Sequence, residues 1–259
     1  MKIGIVGLGL IGGSIYKKCK SLGIEVVGIS KSQNGTANDI FDDYSKLKTC
    51  NLIFVCCHMR EVLKVLKELD LYLTSDTMVC DVCSLKEFVS KGTYGFKFVP
   101  THPMAGTEKS GFENSFPEMF EGAKWVITPV DNTDITELKN FIEKMGATPV
   151  ISTTKEHDEA VALISHMPMV ISQALFAAVE NNDLAKKLAS SGFRDMTRLA
   201  MSNIDMALDM VNLNHENIQN AILKLYSNVG DLIKEDYSKK ILKIKSEREK
   251  MYINGKNVL

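Results

Sequence analysis

Short, almost unbroken apolar runs recur through the first 150 residues, and each gives way to a polar or glycine-rich break. The runs are Lys2–Val6, Glu25–Ile29, Asn51–Cys57, Thr77–Val82, Phe96–Val99, Trp125–Thr128 and Thr148–Ile151. Runs of four to seven residues that do not alternate in polarity are the pattern of strands buried on both faces, as in a parallel sheet covered by helices. Between them lie segments with apolar positions at helical spacing: one ending near Leu22-Gly23, one over 61–71, one over 135–145 closed by Gly146, and a shorter one over Leu85–Val89.

From Ser152-Thr-Thr-Lys155 onward the period changes. Residues 158–181 carry apolar side chains at Val161, Ile164, Met167, Val170, Ile171, Ala174, Leu175 and Val179, which predicts a long helix. Pro168 lies inside it, removes one backbone donor and is expected to kink it. Residues 192–198 read as a polar joint. A second amphipathic pattern runs from about Glu216 through Ile222, Leu225, Val229, Leu232 and Ile233 into the lysine-rich 239–250, a solvated helix face. The expected plan is a strand-and-helix domain over 1–152 followed by an all-helical domain over 153–259. Two apolar helices and one charged helix cover little by themselves, so a second copy of the chain is expected to interleave with them as a homodimer.

Composition narrows this only a little. The 259 residues are 45% hydrophobic and 24% charged with net charge −1, the profile of an ordinary globular protein with no electrostatic case for nucleic acid or an anionic membrane. No unbroken apolar run reaches 18 residues, so no transmembrane helix is expected, and the first strand follows Met1 without a signal-like segment. The six cysteines sit in strand-like or helical patterns and read as reduced thiols of a cytoplasmic protein. Cys80 and Cys83 have CxxC spacing but lie along a strand, not at a helix start, so neither redox nor metal chemistry is expected there.

Gly7-Leu8-Gly9-Leu10-Ile11-Gly12 follows the first strand and opens the first helix. In that setting GxGxxG is a dinucleotide fingerprint: a tight turn, a close approach of backbone to pyrophosphate, then close helix–strand packing. The fold class expected is therefore α/β, an N-terminal Rossmann doubly wound, mostly parallel sheet plus the helical domain. At the end of the second strand an acidic residue would bind a ribose 2′-hydroxyl; here Ser30 and Lys31 stand instead. A hydroxyl and a cation suit a 2′-phosphate, so NADP is expected to be accepted. The competing reading is a solvated Lys31 and NAD bound without that contact.

Thr101-His-Pro-Met-Ala-Gly-Thr-Glu-Lys-Ser-Gly111 follows another strand and is expected to be a loop at the carboxyl edge of the sheet, where such folds bind ligands. It gathers His102, Thr107, Glu108 and Lys109 between two glycines. A lone histidine often only caps a backbone group; at this edge an imidazole is also suited to general base work. Ser84 follows a strand end, where its hydroxyl is expected to cap the next helix, to face a ligand, or both.

Taken in order, GLGLIGGS, Ser84 after DVC, THPMAGTEKSG, EHD at 156–158, SHMP at 165–168 and GFRDMTR at 192–198 resemble the prephenate dehydrogenases, a family that includes arogenate dehydrogenases, over nearly the whole chain. The resemblance implies a Rossmann domain, a helical dimerisation domain and NAD(P)-dependent oxidative decarboxylation of prephenate to 4-hydroxyphenylpyruvate. It implies that His102 accepts the ring-hydroxyl proton, that Ser84 hydrogen-bonds both that hydroxyl and the histidine, and that Arg198 pairs with a substrate carboxylate. Thr107 and Glu108 match residues at the substrate mouth, and His166 a histidine near the substrate. Two positions depart: Met169 stands where many members have a second histidine, and Ala207 where some have tryptophan. The first leaves prephenate and arogenate both open. Another β-hydroxyacid-type dehydrogenase would be expected to use a lysine base on the first helix of the second domain, where this chain has His157 and His166. A non-catalytic NAD(P)-sensing dimer need not keep a base at all.

Overall fold

The computed structural model describes the chain except for residues 108, 235, 254, 255, 258 and 259. It forms two compact units, Met1–His215 and Glu216–Leu259.

The first unit is built on β1 (Ile3–Val6), β2 (Val26–Ile29), β3 (Ile40–Phe41), β4 (Leu52–Val55), β5 (Met78–Asp81) and β6 (Lys97–Phe98), a parallel sheet in the order β3-β2-β1-β4-β5-β6. Every residue of β1, β2 and β4 is buried, as their unbroken apolar runs require. Helices α1 (Leu10–Ser21) and α2 (Met59–Leu69) make two of the crossovers. The order reverses between β1 and β4, which places a crevice at their carboxyl ends.

A second sheet of β7 (Thr101–Pro103), β8 (Lys124–Ile127) and β9 (Thr148–Ile151) adjoins it, with α3 (Thr136–Lys144) between β8 and β9. β7 runs antiparallel to β8, pairing His102 with Val126, and β8 runs parallel to β9. The loop expected from Thr101 therefore begins later than the sequence suggested. Thr101 is fixed from three sides: its N–H donates to Asp81 Oδ1 (3.1 Å), its hydroxyl donates to the Asp81 carbonyl (2.6 Å), and Trp125 Nε1 donates to that hydroxyl (3.0 Å). These bonds extend strand geometry to the histidine.

The helix expected over Leu85–Val89 does not form; the chain turns and makes only a 3-10 turn, Val89–Lys91. The Lys86 and Glu87 N–H groups donate to the two carboxylate oxygens of Asp158 (2.8 and 2.9 Å), and the Lys86 side chain is drawn inward onto Asp81 (2.5 Å). Asp158, not Ser84, caps this turn.

Beyond β9 the chain is helical until a short terminal strand pair, starting with α4 (Thr154–Val161), a π-helical turn Ala162–His166, and α5 (Met167–Ala177). Thr153 and Glu156 form a reciprocal capping box at the start of α4. The π turn is the structural answer to Pro168. Proline cannot bond four residues back, and the Met167 N–H reaches the Ala162 carbonyl, one residue further than α geometry. As one helical run, Thr154–Ala177 is long and apolar enough to cross a membrane by length and composition alone, a candidate that counting unbroken apolar runs had not raised. Its first turns hold the buried polar side chains His157 and Asp158. Three short helices follow: α6 (Asp183–Leu188), α7 (Ser191–Met196), which takes up most of the expected joint, and α8 (Ile204–Leu213). Arg60 on α2 donates to Asp209 (2.7 Å) and Asp205 (3.0 Å) of α8.

In the second unit α9 (His215–Lys234, entering from the first) is followed by α10 (Tyr237–Met251) and the strand pair β10 (Tyr252–Ile253) and β11 (Lys256–Asn257). α10 buries no residue and carries ion pairs at i,i+3 and i,i+4 spacing.

Breaking a buried ion pair by removing one partner strands the other charge and costs about 3–5 kcal/mol, whereas replacing both is far milder. Lys86 and Asp81 are both fully buried. Lys86→Met is therefore expected to lower the urea midpoint strongly, and Asp81→Asn combined with it to recover part of the loss.

Candidate active site

The glycine turn is built as the fingerprint demands. Gly7 has φ +91°, and a Cβ there would sit 2.9 Å from the Cys56 carbonyl at the end of β4. At Gly12 a Cβ would lie 2.0 Å from the Gly7 oxygen, so the helix packs directly on the turn. At Gly9 a Cβ would meet nothing within 4 Å. The first turn of α1 holds no acidic side chain and Gly9 supplies no side-chain cap. Free N–H groups with open space in front of them fit a pyrophosphate, and Leu8, Leu10 and Ile11 pack their side chains into or against the core around them. Ser30 is half-buried, with its hydroxyl 3.3 Å from that of Ser32; Lys31 is exposed and has no acidic partner among the described residues.

His102 stands on β7, half-buried, next to the residue that β5 anchors. Lys86 donates to Asp81 and to the Thr101 carbonyl (2.5 Å each), which places a buried ammonium beside the imidazole. Burial pushes the His102 imidazole well below its usual range, and the Lys86 charge, then His157 and His166, push in the same direction. The ring is thus neutral at pH 7. Its Nδ1 lies 2.9 Å from His157 Nε2, and His157 Nδ1 lies 2.7 Å from Asp158 Oδ1.

Asn214, at the end of α8, donates through Nδ2 to the Asp158 carbonyl (3.0 Å) and lies 3.1 Å from His166 Nδ1. His166 closes the π turn and is 1% exposed; its Nε2 has no partner among the described residues. Burial lowers its pKa from the ordinary 6.5 to about 4, against a smaller opposing pull from Asp158. With Nδ1 accepting from the amide, the Nε2 hydrogen of the neutral ring is a buried donor left over for a ligand.

The other expected residues are less tightly held. Among the described residues the half-buried Ser84 hydroxyl has no partner, and Arg198, exposed at the start of a 3-10 turn, has no ion pair. Thr107 is exposed, its hydroxyl accepting from the Lys109 N–H (3.2 Å). Glu108 lies outside the described residues. The loop that carries them is tied down at its far end: Lys17 of α1 donates to the Ser115 (2.7 Å) and Phe112 (3.2 Å) carbonyls, and the Phe116 N–H donates to Ser14 (3.1 Å). Among the described residues no hydrogen bond joins Ser84, Arg198 or Thr107 to His102; its ring partner is His157, with Asp158 behind it, and the Lys86–Asp81 pair acts on it through its charge. Spacing had not singled out Asp81, Lys86 or Asn214. One signal was present, an aspartate ending an otherwise apolar strand. Cys80 and Cys83 are buried free thiols, and burial raises both well above the usual range.

A depressed histidine pKa makes stability depend on pH. The unfolded ring binds a proton below about 6.5 while folded His166 resists it until about 4, so this contribution is complete above 6.5 and is lost as pH falls. Between pH 7 and pH 5 the loss from His166 is about 2 kcal/mol. Urea titrations at the two pH values are expected to show it, and His166→Gln to flatten the slope.

The family model described as prephenate dehydrogenase, nucleotide-binding domain, matches residues 12–151, and that described as prephenate dehydrogenase, dimerization domain, matches residues 153–241. The prephenate dehydrogenase of Bacillus subtilis is 31% identical over 238 residues, covering 83% of this chain and 64% of that protein, so the chain spans under two thirds of that relative's length. The cyclohexadienyl dehydrogenase of Zymomonas mobilis is 28% identical over 77% of this chain and 76% of its own. Among solved structures, Synechocystis arogenate dehydrogenase is similar with TM-score 0.83 and 29% identity, covering 97% of this chain and 100% of that one. Aquifex aeolicus prephenate dehydrogenase, solved with hydroxyphenyl propionate and NAD+, has TM-score 0.83 and 26% identity over 97% and 99%. With matches over both the strand-rich and the helical parts, this chain belongs to the prephenate dehydrogenase family.

Proposed function

We propose that the chain is an NAD(P)-dependent dehydrogenase that oxidises and decarboxylates prephenate to 4-hydroxyphenylpyruvate, with His102 as general base. The observation that carries this reading is a neutral, half-buried imidazole beside the carboxyl end of β5, in a sheet whose order reverses at a glycine turn shaped for pyrophosphate. When bound, the dinucleotide supplies a nicotinamide that accepts hydride. His102 takes the proton of the ring hydroxyl, which pushes electrons toward the carbon that gives up hydride. Loss of the ring carboxylate then leaves an aromatic ring and makes the step effectively irreversible. Ser84, with its hydroxyl unclaimed, hydrogen-bonds the same substrate oxygen. Arg198 pairs its planar fork with a substrate carboxylate. The buried N–H of His166 donates to a substrate oxygen, and Thr107 and Glu108 stand at the mouth.

Residues 1–152 serve as the cofactor domain and 153–259 as the substrate and dimerisation domain. A homodimer accounts for apolar side chains that a single chain leaves in water, such as Ile164 (65% exposed), Phe176 (51%) and Ile204 (76%). Six free thiols support a cytoplasmic location. Met169 is buried and cannot donate a hydrogen bond, so an arogenate side chain is the second substrate to assay.

Turnover across prephenate and arogenate with NAD and NADP tests the reading, and no cofactor reduction with either substrate would overturn it. His102→Asn is expected to bind cofactor normally and lose kcat by ~10²–10⁴-fold. The exposed, unpaired Lys31 supports acceptance of a 2′-phosphate: Lys31→Ala is expected to raise KM for NADP and leave that for NAD nearly unchanged, read from initial rates.

A further inference from the structure

The structure assigns His157 and Asp158 as positioning residues that hold His102 in the tautomer with its hydrogen on Nδ1 and its lone pair on Nε2. This rests on the reading of His102 as the base.

The assignment starts at the carboxylate. Asp158 Oδ1 receives the Lys86 N–H and Oδ2 the Glu87 N–H, so the group is surrounded by donors and acts only as an acceptor. At 2.7 Å from Oδ1, His157 Nδ1 must carry a hydrogen. A neutral His157 then has its lone pair on Nε2, 2.9 Å from His102 Nδ1. Two lone pairs cannot face each other at that distance, so the hydrogen between the rings belongs to His102 Nδ1. The remaining nitrogen, Nε2, is left as the free base. The ring centroids lie 5.1 Å apart with planes at 74°, a separation that fits two facing nitrogens on rings twisted relative to one another.

The same chain answers an electrostatic problem. When His102 takes the substrate proton at Nε2, the bond from substrate oxygen to hydrogen breaks, the new N–H forms, and a positive charge arises beside the Lys86 ammonium. The charged and titratable groups around the ring are Lys86, His157 and His166, with Asp81 neutralising Lys86 and Asp158 behind His157. The Nδ1–H donated to His157 spreads the new charge toward the Asp158 carboxylate. Asp158 is also held by the Asn214 amide and by the turn it caps, so it cannot follow a moving imidazole.

The test is the tautomer itself. Only five histidines are present, so protein with ¹⁵N-labelled histidine gives two-bond ¹H–¹⁵N spectra assignable with His102→Asn. At neutral pH the dinucleotide-free wild type is expected to show His102 protonated at Nδ1 and unprotonated at Nε2. Asp158→Asn removes the carboxylate toward which the new positive charge is spread, and kcat is expected to fall by on the order of 10²–10⁴-fold with KM little changed. Asp158 also caps a turn, so a second pair of variants avoids it. His157→Gln keeps an oxygen to accept from His102 Nδ1 and is expected to retain the tautomer and most of the turnover; His157→Leu is expected to lose both. A wild-type His102 protonated at Nε2, or His157→Leu turning over as fast as His157→Gln, would overturn the assignment. The spectra decide it whether or not the wild type reduces cofactor with prephenate, so failure of this inference and failure of the proposed reaction are told apart.

Discussion

A buried ammonium must be neutralised where it stands, and the candidate site of this chain is built around one that is. Lys86 is fully buried; its charge meets Asp81, and its remaining donor capacity is spent in part on the Thr101 carbonyl. Asp81 in turn accepts the Cys83 and Thr101 N–H groups. One ion pair thereby fixes the end of β5, the turn after it and the start of β7. His102 is the next residue along that strand, so its position is set by the charges beneath it and not by the loop that follows. A buried pair contributes little net stability, but losing half of it is costly, which makes this arrangement stiff.

The imidazole then feels two opposed fields. Burial and the nearby ammonium keep it neutral, the state a base needs before reaction. A base must also tolerate the charge it acquires, and Asp158, reached through His157, supplies the opposing carboxylate one ring away. Neutrality at rest and tolerance of charge in reaction are separated in space between Lys86 and Asp158, so strengthening one need not spoil the other.

Pro168 shapes the second half of the site by what it lacks. Without its N–H the helical ladder loses a rung, and the chain takes up a π turn whose last residue is His166. The extra residue alters the helix phase at that point, and His166 is buried with an N–H unpaired among the described residues. The Asn214 amide fixes which nitrogen that is, so a proline in one helix and an asparagine at the end of another jointly present one donor.

Much of this plan could be read from residues alone. Buried strands declare themselves because a strand covered on both faces admits only apolar side chains, and β1, β2, β4 and β5 lie where their runs predict. The glycine turn was legible because only glycine fits where a Cβ would strike the Gly7 oxygen. His102 stood out through its place after a strand and through the family resemblance of its loop. Other features depended on contacts between distant residues. Leu85–Val89 has helical spacing, yet the turn forms because Asp158, some seventy positions away, caps it, and because Lys86 is drawn to Asp81. β7 exists because Trp125 and Asp81 hold Thr101. The His102–His157–Asp158 chain has the same origin: a periodic pattern shows which face of one element is apolar, whereas a hydrogen bond between two elements depends on how they pack, and packing is decided only when the chain is folded.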